Sequence, residues 1–150
     1  MSPRLGIGTL HAPTRATVGV DFVLVEIDRQ ALAAATPDVS AFRSVAARHP
    51  ELDGRLSIFA YTSEGDVIRS RMFAPLAGTW EDPATGSANA ALAALRLSLG
   101  SLDELSYTAL QGVEMKRPSI LSLAAWRSGG ACHASVGGPC VPVFSGTIDI

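Results

Sequence analysis

A chain of 150 residues with 47% hydrophobic and 17% charged side chains, and a mean hydropathy of +0.26, excludes a disordered protein. It fits one domain able to bury about 70% of its unfolded surface without disulfide staples. Twelve basic residues against 14 acidic ones, a net charge of -2, leave no electrostatic footprint for nucleic acid or an anionic membrane, so the expected partner is a small molecule or another protein.

At the N-terminus, Met1-Ser2-Pro3-Arg4-Leu5-Gly6 lacks the apolar run of a signal peptide. No stretch approaches the roughly 18 apolar residues of a membrane span, and a cytoplasmic protein is expected. Residues 1–16 carry prolines and glycines without a clear period and read as a loop or tail; residues 17–150 read as a single lobe. The β-branched run Val20 to Ile27 predicts a strand inside the sheet, covered on both faces. Residues 29–35 suit a short helix that Thr36-Pro37 ends. A second helix follows, capped by Asp38 or Ser40, with Val39, Phe42, Val45 and Ala46 as its apolar stripe before His49-Pro50.

Residues 55–62 and 67–74 alternate with the strand period around Ser63-Glu64-Gly65-Asp66, which predicts a hairpin whose glycine supplies a positive φ. Pro75-Leu76-Ala77-Gly78-Thr79 breaks it. The octet Glu81-Asp82-Pro83-Ala84-Thr85-Gly86-Ser87-Ala88 then leads into strong helix formers, and a central helix over about residues 87–99 is expected, with Gly100 as the left-handed residue past its end. That helix is apolar nearly all round, so it is expected to be buried. Residues 105–111, 119–126, 131–136, 140–144 and 147–150 are strand candidates at the spacing of an antiparallel meander or barrel. The elements together predict the α+β class, with a curved, mostly antiparallel, barrel-like sheet wrapped around one buried helix. Cys132 and Cys140, with His133 between them, are too few ligands for structural zinc and read as small buried hydrophobes.

The octet is the candidate site. A helix start leaves backbone N–H groups unpaired at the positive end of the macrodipole, which attracts a carboxylate or phosphate. Gly86 permits close approach, Thr85 and Ser87 add hydroxyls, and Asp82 puts a carboxylate at the rim. Shielding from water, or crowding by Glu81, would push the Asp82 carboxyl towards acid chemistry near neutral pH. Ordinary helix capping, with Pro83 stiffening the approach, accounts for the same residue types.

The motifs Met72-Phe73-Ala74-Pro75, Glu81 to Ala88, Gln111-Gly112-Val113-Glu114-Met115-Lys116-Arg117-Pro118-Ser119 and Val136-Gly137-Gly138 resemble, in order and spacing, the C-terminal half of the PhzF family. That is the phenazine-biosynthesis isomerase family of the diaminopimelate-epimerase-like fold, and the resemblance covers about residues 17–150. It implies one of two similar lobes, with the site in a cleft where two helix starts face each other. It also implies that Asp82 lies near the substrate ring and that Gly86 and Ser87 hold the substrate carboxylate. The family's glutamate base and cysteine-glycine-histidine motif belong to the N-terminal lobe and are not recognisable in these 150 residues. Lys116 stands where many relatives have glycine, which predicts a different bend there. Arg117 could bind an anion or pair with a carboxylate inside the fold, the second, structural reading being preferred; Glu114 reads as a structural or rim carboxylate, and His11, Arg15, His49 and His133 as solvated or hydrogen-bonded surface groups.

Two functions follow as expectations. One is an isomerase or epimerase of a small carboxylic acid, working by proton transfer with Asp82 and Ser87 as catalytic groups and Thr85, Gly86 and Ser87 binding substrate, with no metal or organic cofactor. Its base would come from a homodimer partner or an N-terminal-lobe partner. The other is a non-catalytic binding or assembly module that keeps only the anion pocket.

Overall fold

Eight strands and three α-helices alternate within residues 11–148, the part of the chain that the computed structural model describes. In chain order they are β1 (Thr14–Thr17), β2 (Asp21–Glu26), α1 (Arg29–Ala34), α2 (Val39–Arg48), β3 (Ile58–Glu64), β4 (Val67–Ala74) and β5 (Thr79–Asp82). Then follow α3 (Gly86–Leu99), β6 (Glu104–Gln111), β7 (Ser119–Ser128) and β8 (Ala131–Gly137). The sheet runs β1-β2-β3-β4-β6-β7-β8, with β5 on β4. Pairing is antiparallel except for β2 with β3 and β4 with β6. Each parallel pair needs a crossover, and α1 with α2 supplies the first while α3 supplies the second.

The sheet curls round α3, which touches β1 and β2 on one side and β6, β7 and β8 on the other. Ala-rich composition lets the helix sit close to the strands, and Leu92 and Leu97 bury completely against Leu24, Phe59, Tyr61 and Ile68. Each such leucine contributes about 1.5–3 kcal/mol of transfer free energy. A second, smaller core of Phe42, Ala46, Leu56 and Phe73 lies under α2. The expectation for β2 therefore holds: Phe22 and Leu24 join the core around α3, while Val23 packs with the α2 cluster.

Local chemistry explains the helix ends. Asp38, not Ser40, caps α2, its carboxylate accepting from the N–H groups of Ser40 and Ala41. The β3–β4 hairpin turns on Gly65 at φ 63°, the first residue of a two-residue loop, where a II′ turn places glycine. Gly100 departs from expectation, having φ -94° instead of a left-handed value. Its N–H still closes the helix end on Arg96 O at 3.2 Å and Leu97 O at 3.3 Å, and Arg127 adds to this, Nη2 donating to Leu97 O at 2.7 Å and to Gly100 O at 3.1 Å.

Other corrections concern the chain ends and the octet. Of the tail expected over residues 1–16, residues 1–10 lie outside the described residues, and Thr14 to Ala16 belong to β1, paired with β2. Residues 140–144 form no strand and are exposed; of 147–150, residues 147 and 148 form none and 149–150 lie outside the described residues. The octet is not all turn, because Glu81 and Asp82 end β5. Cys132 packs partly against the core as expected, whereas Cys140 is exposed.

Candidate functional site at the start of α3

β4 shares its outer edge between two neighbours. Ser70 pairs with Gln111 of β6, and Met72 pairs with Asp82 of β5. The end of β6 thus lies beside the end of β5, where the chain turns through Pro83 and Ala84 into α3. Gly112 makes this approach possible: it has φ 77°, and a Cβ there would sit 2.4 Å from Arg117 O and 2.9 Å from Pro83 O. Only glycine fits both the conformation and the space.

Around the turn, Asp82, Thr85, Asn89 and Gln111 form one hydrogen-bonded cluster. Thr85 Oγ1 bonds the Asp82 carboxylate at 2.6 Å. The Gln111 side chain reaches Asp82 O at 2.7 Å and Thr85 Oγ1 at 2.9 Å through Nε2, while its Oε1 accepts from Thr85 N and Asn89 Nδ2. Asn89 Nδ2 also bonds Thr85 O at 2.9 Å. Asn89 and Gln111 are fully buried. Sequence reasoning missed both; the parallel crossover that carries Gln111 back to Asp82 has no local signal.

Thr85 is the N-cap residue of α3, but its hydroxyl makes no capping bond. Side-chain capping is therefore not what this threonine does; the Gly86 N–H donates to Ala84 O at 3.1 Å, and those of Ser87 and Ala88 keep their capacity for an acceptor. Within the described residues the Ser87 hydroxyl makes no hydrogen bond, and Ser87 is half-buried. A cleft of about 700 Å³ opens at this end of α3, lined by Ala84, Gly86, Ser119, Ile120, Val136 and Cys140 among others. Of the expected site residues Gly86 lines that cleft, whereas Asp82, Thr85 and Ser87 do not.

The neighbouring carboxylates are committed elsewhere. Alternation along β5 turns Glu81 away from Asp82 and into a bidentate pair with Arg71, both contacts 2.8 Å long. Crowding of Asp82 by Glu81, one of the two expected sources of acid character, is not how the strand is built. Glu114 pairs with Arg69 at 2.8 Å and lies 4.0 Å from Arg71, as its structural reading requires. The hydrogen bonds that Arg71 donates to Glu81, then the charges of Glu81 and Glu114, push the Arg71 pKa up against the cost of burial.

Arg117 is a correction: it is exposed and makes no ion pair among the described residues, so no carboxylate inside the fold holds it. Lys116 is left-handed at φ 58°, a conformation that glycine adopts without strain. His11, Arg15, His49 and His133 are hydrogen-bonded or stacked, as expected. His11 bonds Tyr61 OH, Arg15 pairs with Asp21, His49 with Glu51, and His133 stacks on Trp126. Among the described residues, no three His, Cys, Asp or Glu side chains converge as a metal site would need.

A curled, mostly antiparallel sheet closed on a single helix, with a polar cluster at that helix's start, defines an α+β protein with a barrel-like lobe. The chain belongs to the phenazine biosynthesis-like family: the PhzC-PhzF family model matches residues 8–146. It is 35% identical over 116 residues to trans-2,3-dihydro-3-hydroxyanthranilate isomerase of Pseudomonas chlororaphis, covering 75% of this chain and 42% of the relative. The isomerase of the same name from Pseudomonas fluorescens is 34% identical over the same shares. A crystal structure of a PhzF-family phenazine biosynthesis protein from Bacillus anthracis aligns with a TM-score of 0.66 at 20% identity, over 81% of this chain and 43% of that one. This last likeness is one of fold. The chain spans less than half the length of each of these three proteins. No described helix is long and apolar enough to cross a membrane.

Proposed function

We propose that the chain is one half of a cytoplasmic isomerase- or epimerase-like protein that acts on a small carboxylic acid by proton transfer, without metal or organic cofactor. The facing half of the site comes from a second copy of the chain or from an N-terminal-lobe partner. Asp82 and Ser87 are its catalytic groups, and Thr85, Gly86 and Ser87 bind the substrate carboxylate. The observation that carries this reading is the start of α3: the Ser87 and Ala88 N–H groups and an unbonded Ser87 hydroxyl follow an Asp82 carboxylate held by Thr85. The names of the two Pseudomonas relatives make a dihydroaromatic amino acid the first substrate to try.

Exposed apolar surface supports a partner. Ile120, Trp126 and Val136 are exposed on β7 and β8, and Val141 and Phe144 beyond them are 83% and 94% exposed. Surface of that kind is usually covered in an assembly. A binding module without turnover is the second reading, favoured by the pairing of Glu81 and Glu114 with arginines, which leaves neither free as a base. Two measurements separate the readings: the oligomeric state in solution, and solvent deuterium incorporation into candidate dihydroaromatic, 2-amino or 2-hydroxy acids. Proton transfer predicts incorporation that Asp82→Asn abolishes. Incorporation that survives this substitution removes Asp82 from the chemistry, and a monomer that binds acids without exchange leaves the binding module.

A further inference from the structure

The Gln111 amide uses its whole hydrogen-bonding capacity. Both Nε2 hydrogens are donated, to Asp82 O and to Thr85 Oγ1, and Oε1 accepts twice, from Thr85 N and from Asn89 Nδ2. Exchanging its oxygen and nitrogen would set donor against donor at both latter contacts, so the orientation is fixed. Asn89 is fixed by the same logic, since its Nδ2 meets two acceptors, Thr85 O and Gln111 Oε1. Its own Oδ1 is buried without a partner.

Direction then propagates. Thr85 Oγ1 accepts from Gln111, so its single hydrogen must serve its other neighbour, Asp82 Oδ2, 2.6 Å away. In this arrangement Oδ2 is an acceptor. We infer that Gln111 is a positioning residue: acting through the Thr85 hydroxyl, it reserves Asp82 Oδ2 for accepting and leaves Oδ1 as the only oxygen that can carry a transferable proton. In turnover Oδ1 gives its proton to the substrate, and the carboxylate left behind is re-protonated by the proton the substrate surrenders at another atom. Proton count and electrons balance in the isomerisation. The part played by Oδ1 rests on the proposed function; the direction of the hydroxyl does not.

The test uses the full chain, isotopically labelled, with NMR of the Thr85 hydroxyl proton, the Gln111 side-chain amide and the Asp82 carboxyl carbon. In the wild type the hydroxyl proton exchanges slowly and both Gln111 amide protons are protected. Gln111→Glu removes both donors, so the hydroxyl turns to residue 111 and the Asp82 carboxyl carbon shifts. Thr85→Val gives the same displacement without adding a charge, and Thr85→Ser recovers the wild-type position. An Asp82 signal indifferent to Thr85→Val, or moved equally by Thr85→Val and Thr85→Ser, overturns the inference. Deuterium exchange with the completed site is the second arm: Gln111→Glu and Thr85→Val should lower kcat at least tenfold with KM little changed, and Thr85→Ser should restore it. If Asp82→Asn abolishes exchange while Thr85→Val leaves kcat intact, the positioning role fails and the proposed function stands. If the NMR pattern holds while Asp82→Asn exchanges normally, the proposed function fails and the hydroxyl direction stands.

Discussion

Arg71→Met tests how the site is anchored. The Arg71 and Glu81 side chains are only 8% and 9% exposed, and their fork is closed by two contacts of 2.8 Å. The third nitrogen, Nη1, donates to Ala35 O at 2.8 Å, Leu32 O at 3.0 Å and Ala33 O at 3.3 Å, satisfying the last carbonyls of α1. The guanidinium also lies 4.8 Å from the centre of the Phe73 ring. Methionine keeps much of the stem but leaves Glu81 buried and unpaired, with Glu114 nearby. Breaking a buried pair from one side costs about 3–5 kcal/mol, a large share of the roughly 5–15 kcal/mol available to a domain. With a urea m-value of about 2 kcal/mol/M, the midpoint should fall by about 1.5–2.5 M. Urea unfolding followed by far-UV circular dichroism and by tryptophan fluorescence measures this. The double variant Arg71→Met with Glu81→Leu should recover part of the loss, because no charge is then stranded. A midpoint shift under about 0.5 M, or a double variant as unstable as the sum of its single changes, would refute the reasoning.

Gly112→Ala should destabilise by about 2–4 kcal/mol in the same assay, since a Cβ at φ 77° meets backbone oxygens on two sides. A loss under about 1 kcal/mol would mean that the turn relaxes freely. Lys116→Gly should instead raise stability by about 1 kcal/mol, by releasing the left-handed strain at φ 58°; a decrease would mean the lysine stem packs usefully. Tyr61 and Tyr107, the only two tyrosines, both have their pKa pushed up, by burial first and at Tyr61 also by the Glu26 charge. Their contribution to stability is full below the unfolded value of about 10 and is lost as pH rises towards the folded one, because the unfolded chain releases its protons first. Absorbance at 295 nm should therefore rise together with loss of the circular dichroism signal. Tyrosinate forming near pH 10 in a folded protein would contradict it.

Residues with local signals were legible. Asp38 ahead of an apolar stripe, Gly65 between alternating runs and the Ala/Leu run of α3 each specify their element from neighbours a few positions away. Elements that depend on distant pairing were not. β5 is a strand only because β4 has a free edge beyond Ser70, so Glu81-Asp82 reads locally as turn. Residues 140–144 have strand-forming side chains, but no described neighbour pairs with them, and propensity without a partner does not make a strand. In the site, Asp82, Thr85, Gly86 and Ser87 stand out by type and spacing. Gln111 and Asn89 look like routine polar residues of a strand and a helix until the crossover closes around them.

The divided edge of β4 also sets how the site keeps its dimensions. Ser70 and Met72, two positions apart on one strand, are the contact points for Gln111 and Asp82. A strand advances about 6.6–6.8 Å over that interval, whatever the lengths of the connections around it. β4 thus works as a ruler: sliding it against β3 would carry both residues together and leave their separation unchanged. The distance that matters is held by a pleat and not by the connections around it.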